Sequence, residues 1–155
     1  MIDESTELGA QVARHLREDR VAWLTTVTPG GSPVPSPVWF WWDGDDHVLL
    51  FSLPDTARTR NIEANPKVSL NFAGDGYGGD IVILSGRAEL TDGPAAHEVG
   101  PYVKKYSWGF ERLRATPEQF AQRYSVPIRI RLTKVRGHKG SASRGPRTST
   151  RWRGC

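Results

Sequence analysis

The stretch Pro33-Val34-Pro35-Ser36-Pro37-Val38-Trp39-Phe40-Trp41-Trp42 constrains this chain more than any other. In an extended strand, successive residues direct their N–H groups to opposite edges, so Pro33, Pro35 and Pro37 all remove donors from one edge. Regular pairing along that edge cannot occur, and the segment must therefore border a sheet. Beyond the prolines both faces are apolar, with Val38, Phe40 and Trp42 on one side and Trp39 and Trp41 on the other. Such a strand has to be covered twice, once by its own core and once by a partner subunit or a flat ligand.

The surrounding pattern alternates strands with few helices. Residues 5 to 19 read as a helix capped by Ser5, with Leu8, Val12 and Leu16 at i, i+4 and i+8 and Ala13 beside them. Val21 to Thr28 reads as a strand, and Pro29-Gly30-Gly31-Ser32 turns it into the proline-rich run as a hairpin. After Asp43-Gly44-Asp45-Asp46 a third strand covers His47 to Leu53. A short helix then enters at Pro54-Asp55, with Asp55 as N-cap, and stops at Asn65-Pro66. Strands follow at 67 to 72 and 80 to 90, helical signals at 94 to 106 and 117 to 124, and a last alternating strand at 127 to 135. Tight turns between the early strands disfavour a doubly wound parallel sheet, which needs crossovers. The expected class is α+β, mainly β: an antiparallel barrel with peripheral helices.

At 155 residues the chain suits one domain. Its net charge of +4 is a property of the tail: without residues 139–155, which carry five Lys and Arg and no acid, 16 basic residues face 17 acidic ones. The division is therefore a domain over 1–138 and a basic, Gly/Ser/Thr/Arg-rich tail over 139–155 that is expected to be disordered. Nucleic-acid binding by the body is disfavoured, since it lacks a net basic balance. No apolar run approaches the roughly 18 to 20 residues of a membrane span. Acidic residues stand where a signal peptide needs basic ones, so a cytoplasmic location is expected. Cys155 is the only cysteine, and the four histidines lack HxxxH or HxH spacing, so no metal site is expected.

The chemistry-bearing residues cluster after the third strand. Ser52 ends that strand, and Arg58, Arg60 and Asn61 fall in the first two turns of the helix, with Arg58 and Asn61 on one face. A hydroxyl, a forked cation and an amide beside a helix N-terminus can hold a phosphate. Surface pairing of these arginines with Asp55 and Glu63 is the competing reading. Glycines at 74, 76, 78 and 79 superficially match a dinucleotide fingerprint, but the loop lies between two strands and lacks the required helix. No serine, histidine or acid has the spacing of a nucleophilic site, so the catalytic residues are unassigned and any redox chemistry would belong to a cofactor.

Four segments carry a family resemblance: Gly31-Ser32-Pro33-Val34-Pro35-Ser36-Pro37-Val38-Trp39-Phe40; Arg58-Thr59-Arg60-Asn61-Ile62 with Asn65-Pro66-Lys67-Val68-Ser69-Leu70; Gly79-Asp80-Ile81; and Tyr124-Ser125-Val126-Pro127-Ile128. Over residues 5 to 138 the chain resembles the split β-barrel flavin and deazaflavin family related to pyridoxamine 5′-phosphate oxidase, in particular its branch using the deazaflavin coenzyme F420. The resemblance implies a homodimer with cofactor sites at the subunit interface. It places the ring system against Ser36, Pro37, Val38 and Trp39, and the phosphate near Ser52, Arg58 and Asn61, with Arg60 beside them. Gly79 and Asp80 would reach the partner's site. The implied activity is an F420-dependent oxidoreductase acting on a small organic substrate. FMN is the alternative cofactor, and a non-catalytic flavin, deazaflavin or tetrapyrrole binder the alternative role. Tyr77 is a polar neighbour that could supply a proton, as could solvent.

Overall fold

The computed structural model describes residues 2–140. Most of the tail, including Cys155, lies outside the described residues. Seven strands form one antiparallel sheet: β1 (Ala22–Val27), β2 (Pro33–Val38), β3 (Trp41–Trp42), β4 (His47–Ser52), β5 (Lys67–Asn71), β6 (Ile81–Leu90) and β7 (Val126–His138). Their spatial order is β2-β1-β5-β6-β7-β4-β3. The helices are α1 (Glu7–Glu18), α2 (Ala57–Ala64), α3 (Gly100–Lys105), α4 (Ser107–Leu113) and α5 (Pro117–Arg123), with a 3-10 turn at Ala96–Glu98.

The strand order dictates the shape. β2 and β3 occupy opposite edges of the sheet, yet only Trp39 and Phe40 separate them in sequence. Seven strands about 4.8 Å apart would hold the edges of a flat sheet about 29 Å apart. Three Cα–Cα steps from Val38 to Trp41 reach at most about 11 Å. The sheet must therefore curl until its edges meet, closed by the chain itself and not by a hydrogen-bond ladder. This is the split barrel that the resemblance implies.

The proline-rich run is thus divided, where the sequence pattern suggested one strand from Pro33 to Trp42. Its first part pairs with β1 through a register from Ala22↔Val38 to Val27↔Pro33 and borders the sheet, as the missing donors require. Its last two residues pair with β4. Inside the barrel, Val38, Phe40 and Trp42 join Leu24, Leu50, Leu70, Leu84, Ile128 and Ile130 in the main core.

The second apolar face is covered in part by the chain's own helices. Trp39 and Trp41 pack against a second cluster built by α3–α5 with Leu49 and Phe51 of β4. The Trp39 ring stacks on Tyr106 at 4.7 Å and on Phe120 at 5.7 Å. Gly109 permits this approach, because a Cβ there would overlap the Trp39 ring. The helical cluster covers what the sequence alone left uncovered.

Other boundaries move slightly. Thr6, not Ser5, caps α1 by accepting from the Gly9 N–H at 3.0 Å, while Ser5 bonds Asp3. Val12, Ala13 and Leu16 are buried but Leu8 remains exposed, since it lies at the rim of the helix's inner face. Thr56, not Asp55, caps α2, because Asp55 takes a left-handed conformation (φ 56°) that turns the chain into the helix. The 94 to 106 helical signal splits into the 3-10 turn and α3, and α4 is an additional helix.

At the split, the Trp39-Phe40 link has no ladder partner, and one side chain replaces it. The Tyr106 hydroxyl accepts from the Phe40 N–H at 2.9 Å and lies 2.8 and 3.0 Å from the Arg20 and Phe40 carbonyls, to which it can donate. Burial raises the Tyr106 pKa well above its ordinary value, which keeps it a donor. Tyr106→Phe strands the buried Phe40 N–H, so it should cost about 1–3 kcal/mol. Urea unfolding should show this as a lower midpoint at unchanged slope.

Candidate functional site

A cavity of about 520 Å³ opens between β2, the end of β4, the start of α2 and the helical cluster. This lies within the usual range for small-ligand pockets, about 300–1,000 Å³. Its walls are chemically divided. One side is aromatic: Trp39, Phe51, Tyr102, Phe120 and Tyr124, with Phe120 and Tyr124 stacked at 4.4 Å. The other carries hydroxyls and a cation: Ser36, Ser52, Thr56 and Arg58.

Arg58 is the most informative member. Its Nη2 donates to Ser36 Oγ at 2.8 Å, which draws the side chain across to β2. Its Nε is buried without a hydrogen-bond partner, and no carboxylate pairs with the guanidinium among the described residues. Burial lowers the Arg58 pKa, partly countered by Tyr124, but an arginine stays cationic at any ordinary pH. A half-buried cation without a carboxylate partner, at the wall of a mostly apolar cavity, is suited to an incoming anion. The N-terminus of α2 contributes Thr56 and Ala57 to the same wall, and its free N–H groups also favour negative charge.

The structure gathers Ser36, Pro37, Val38, Trp39, Ser52 and Arg58 around this cavity. Ser52 is fully buried and donates to the Leu53 carbonyl at 3.0 Å, so its free capacity is as an acceptor. Asn61 does not line the cavity. Its Nδ2 donates to Thr26 Oγ1 at 3.1 Å, and Thr26 is the residue that does. Arg60 lies on the exposed side of α2 and donates to the Asp55 carbonyl at 2.7 Å. Neither Arg58 nor Arg60 pairs with the side chains of Asp55 or Glu63 among the described residues.

Gly79 and Asp80 lie outside this chain's cavity, at the foot of β6 against α1. Asp80 accepts from Arg14 at 2.6 Å and Gln11 at 3.1 Å, and its Oδ1 lies 3.0 Å from His15 Nε2. Burial would raise its pKa, but the hydrogen bonds of Arg14, His15 and Gln11 outweigh it and hold the carboxyl at about 2. Tyr77 is almost fully exposed at the tip of the Gly-rich hairpin and does not line the cavity either.

The aromatic wall from Tyr102, Phe120 and Tyr124 is absent from the sequence-derived site. Tyr124 fell within a resembling segment, but nothing in the spacing assigned the ring to the cavity. No carboxylate, histidine or cysteine lines the cavity among the described residues; its protic groups are hydroxyls and the guanidinium. Burial raises the Tyr102 phenol well above its ordinary pKa, so it remains protonated. The arrangement suits the binding and orientation of a ligand.

Sequence comparison matches residues 8–139 to the family model described as pyridoxamine 5′-phosphate oxidase. The chain belongs to the pyridoxamine 5′-phosphate oxidase family. No curated protein matches the sequence. Among solved structures, a conserved hypothetical protein from Mycobacterium tuberculosis is 24% identical, with TM-score 0.67 over 90% of this chain and 92% of that one. A structure described as an F420 reductase is 24% identical, with TM-score 0.56 over 79% and 94%. A heme storage protein from Vibrio cholerae is 16% identical, with TM-score 0.58 over 86% and 96%. At these identities the likeness is one of fold. The family's split barrel is flavin-binding, and the aromatic cavity beside Arg58 is where this chain's geometry suits such a group.

The Asp80 contacts generate a pH prediction. A carboxyl depressed from 3.8 to about 2 stabilises the fold fully above pH 4, and that contribution is lost as pH falls towards 2. Acid unfolding followed by circular dichroism should therefore be shallower for Asp80→Asn than for the native chain across this window.

Proposed function

We propose that the cavity is half of a binding site for the deazaflavin coenzyme F420, and that the protein is an oxidoreductase moving a hydride between that cofactor and a small, planar, apolar substrate. The observation that carries this reading is Arg58, a half-buried cation that lines an aromatic cavity and pairs with no carboxylate among the described residues. When bound, F420 supplies hydride transfer at its C5 position. Arg58 and Ser36, with the α2 N-terminus, would hold the phosphate. Because Ser36 fixes the guanidinium, the cation is presented with little further ordering. Pro37 and Val38 offer the ring an edge with no competing backbone donor at the proline, and the aromatic wall excludes water behind it. No residue is assigned as acid or base.

A dimer with the site at its interface is part of the same reading. The outer wall of β2, β1, β5 and β6 carries two rows, Pro37–Trp23–Asn71–Ile83 and Pro35–Thr25–Ser69–Ser85, without a charged residue. Trp23 is 42% exposed there. A second copy seated on this wall would cover the tryptophan. Trp23→Glu should sediment as a monomer and bind cofactor more weakly.

The decisive experiment is fluorescence titration of the purified protein with F420 and, separately, with FMN, beside Arg58→Ala. Expected are micromolar binding of F420, a weaker response to FMN, and at least tenfold weaker F420 binding in the variant, about 1.4 kcal/mol or more. Preference for FMN would retain the fold and overturn the deazaflavin chemistry. Binding of neither would overturn both and favour a carrier role.

A further inference from the structure

On a part of the barrel wall that shares no residue with the aromatic cavity, the strand registers align basic residues. Lys67 of β5 stands opposite Arg87 of β6, Arg87 opposite Arg131 of β7, and Arg131 opposite His47 of β4. Arg129 lies two residues along β7 on the same face. Like charges directly opposite each other in a sheet repel, so this row costs stability. His47 lies 2.6 Å from Asp46 and 3.6 Å from Asp43. Lys67, Arg87, Arg129 and Arg131 make no ion pair among the described residues. Glu89 stands opposite Arg129 without closing one.

These arginines line a cleft of about 290 Å³ together with His47, Glu89, Pro66 and Ala88. That is near the lower limit for a ligand pocket, so the occupant is small. Guanidinium forks match phosphate oxygens in pairs, whereas a lysine offers only a point charge. Among the residues lining the cleft three arginines meet a single glutamate; Lys67 borders it beside Arg87, and Asp43 and Asp46 stand against His47 at its other end. We propose that this cleft is a second, separate site for a compact phosphate anion, a diphosphate or the phosphate end of a small metabolite, held by Arg87, Arg129 and Arg131. The bound anion relieves the repulsion that the register imposes. The site shares no residue with the aromatic cavity and does not depend on the cofactor reading.

The test is isothermal titration calorimetry of the full chain at fixed ionic strength with inorganic phosphate, inorganic pyrophosphate and a nucleoside diphosphate. The comparison proteins are Arg87→Gln/Arg131→Gln, Arg129→Gln and Arg58→Gln. The proposal expects saturable pyrophosphate binding that weakens at least tenfold in the double variant, weakens in Arg129→Gln, and persists in Arg58→Gln. Equal affinity for pyrophosphate and the nucleoside diphosphate would show that the phosphates alone are read; tighter binding of the latter would indicate a larger metabolite. Loss of binding only in Arg58→Gln would place the anion in the aromatic cavity and overturn the proposal, as would the absence of saturable binding. Thermal melting without ligand guards against misfolding, since removing two facing cations should leave the double variant at least as stable as the native chain.

Discussion

Everything else in this molecule follows from a two-residue link between the opposite edges of its sheet. Trp39 and Phe40 join β2 to β3 across a gap that a flat sheet could not close, so the sheet has to curl. Closure by covalent chain leaves backbone groups at the seam without ladder partners. The Tyr106 hydroxyl meets the Phe40 backbone there, and Lys105 lies over the Phe40 ring with its Nζ 3.8 Å from the centroid. Burial lowers the Lys105 pKa to about 8, partly countered by Asp19, as expected for an amine set into an aromatic seam. The seam is therefore held by Lys105 at the end of α3 and by Tyr106, the residue that caps it, and not by the sheet.

The same link builds the candidate site. It holds Trp39 at the barrel's split, where the ring is pinned between Tyr106 and Phe120 and still forms one wall of the cavity. The prolines that prevent pairing at the outer edge of β2 leave that edge open beside the cavity. α2, entered through the left-handed Asp55, brings Arg58 across to Ser36 on that strand. An edge without proline donors, an aromatic wall and a fixed cation are brought together by one topological constraint.

Much of this was legible in the sequence because its signals are local. Three prolines at alternate positions define an edge strand whatever surrounds them, and the alternation of Ile128, Ile130 and Leu132 with Arg129 and Arg131 defines a strand with one face inward. The break at Trp39-Phe40 was not legible, because an unbroken apolar run gives no sign that the chain changes sheet edges. α4 was missed because Ser107–Leu113 contains Gly109 and lacks a side-chain cap; its burial against Trp39 is a tertiary effect. At the site, Ser52 and Arg58 were singled out by type and spacing and Ser36 by the family resemblance, and all three line the cavity. Asn61 lies one residue further from the cavity, hydrogen-bonded to Thr26, a placement that depends on the pairing of distant strands. The aromatic wall came from helices whose docking no periodicity encodes.

The central claim is that Arg58 and Ser36 form the anion-holding end of a cofactor cavity whose other walls are aromatic. A crystal structure of the protein grown with F420 tests it most directly. The account predicts the phosphate within hydrogen-bonding distance of the Arg58 guanidinium and the ring system beside Pro37, Val38 and Trp39. A cofactor bound elsewhere, or one whose phosphate leaves the Arg58 guanidinium untouched, would contradict it.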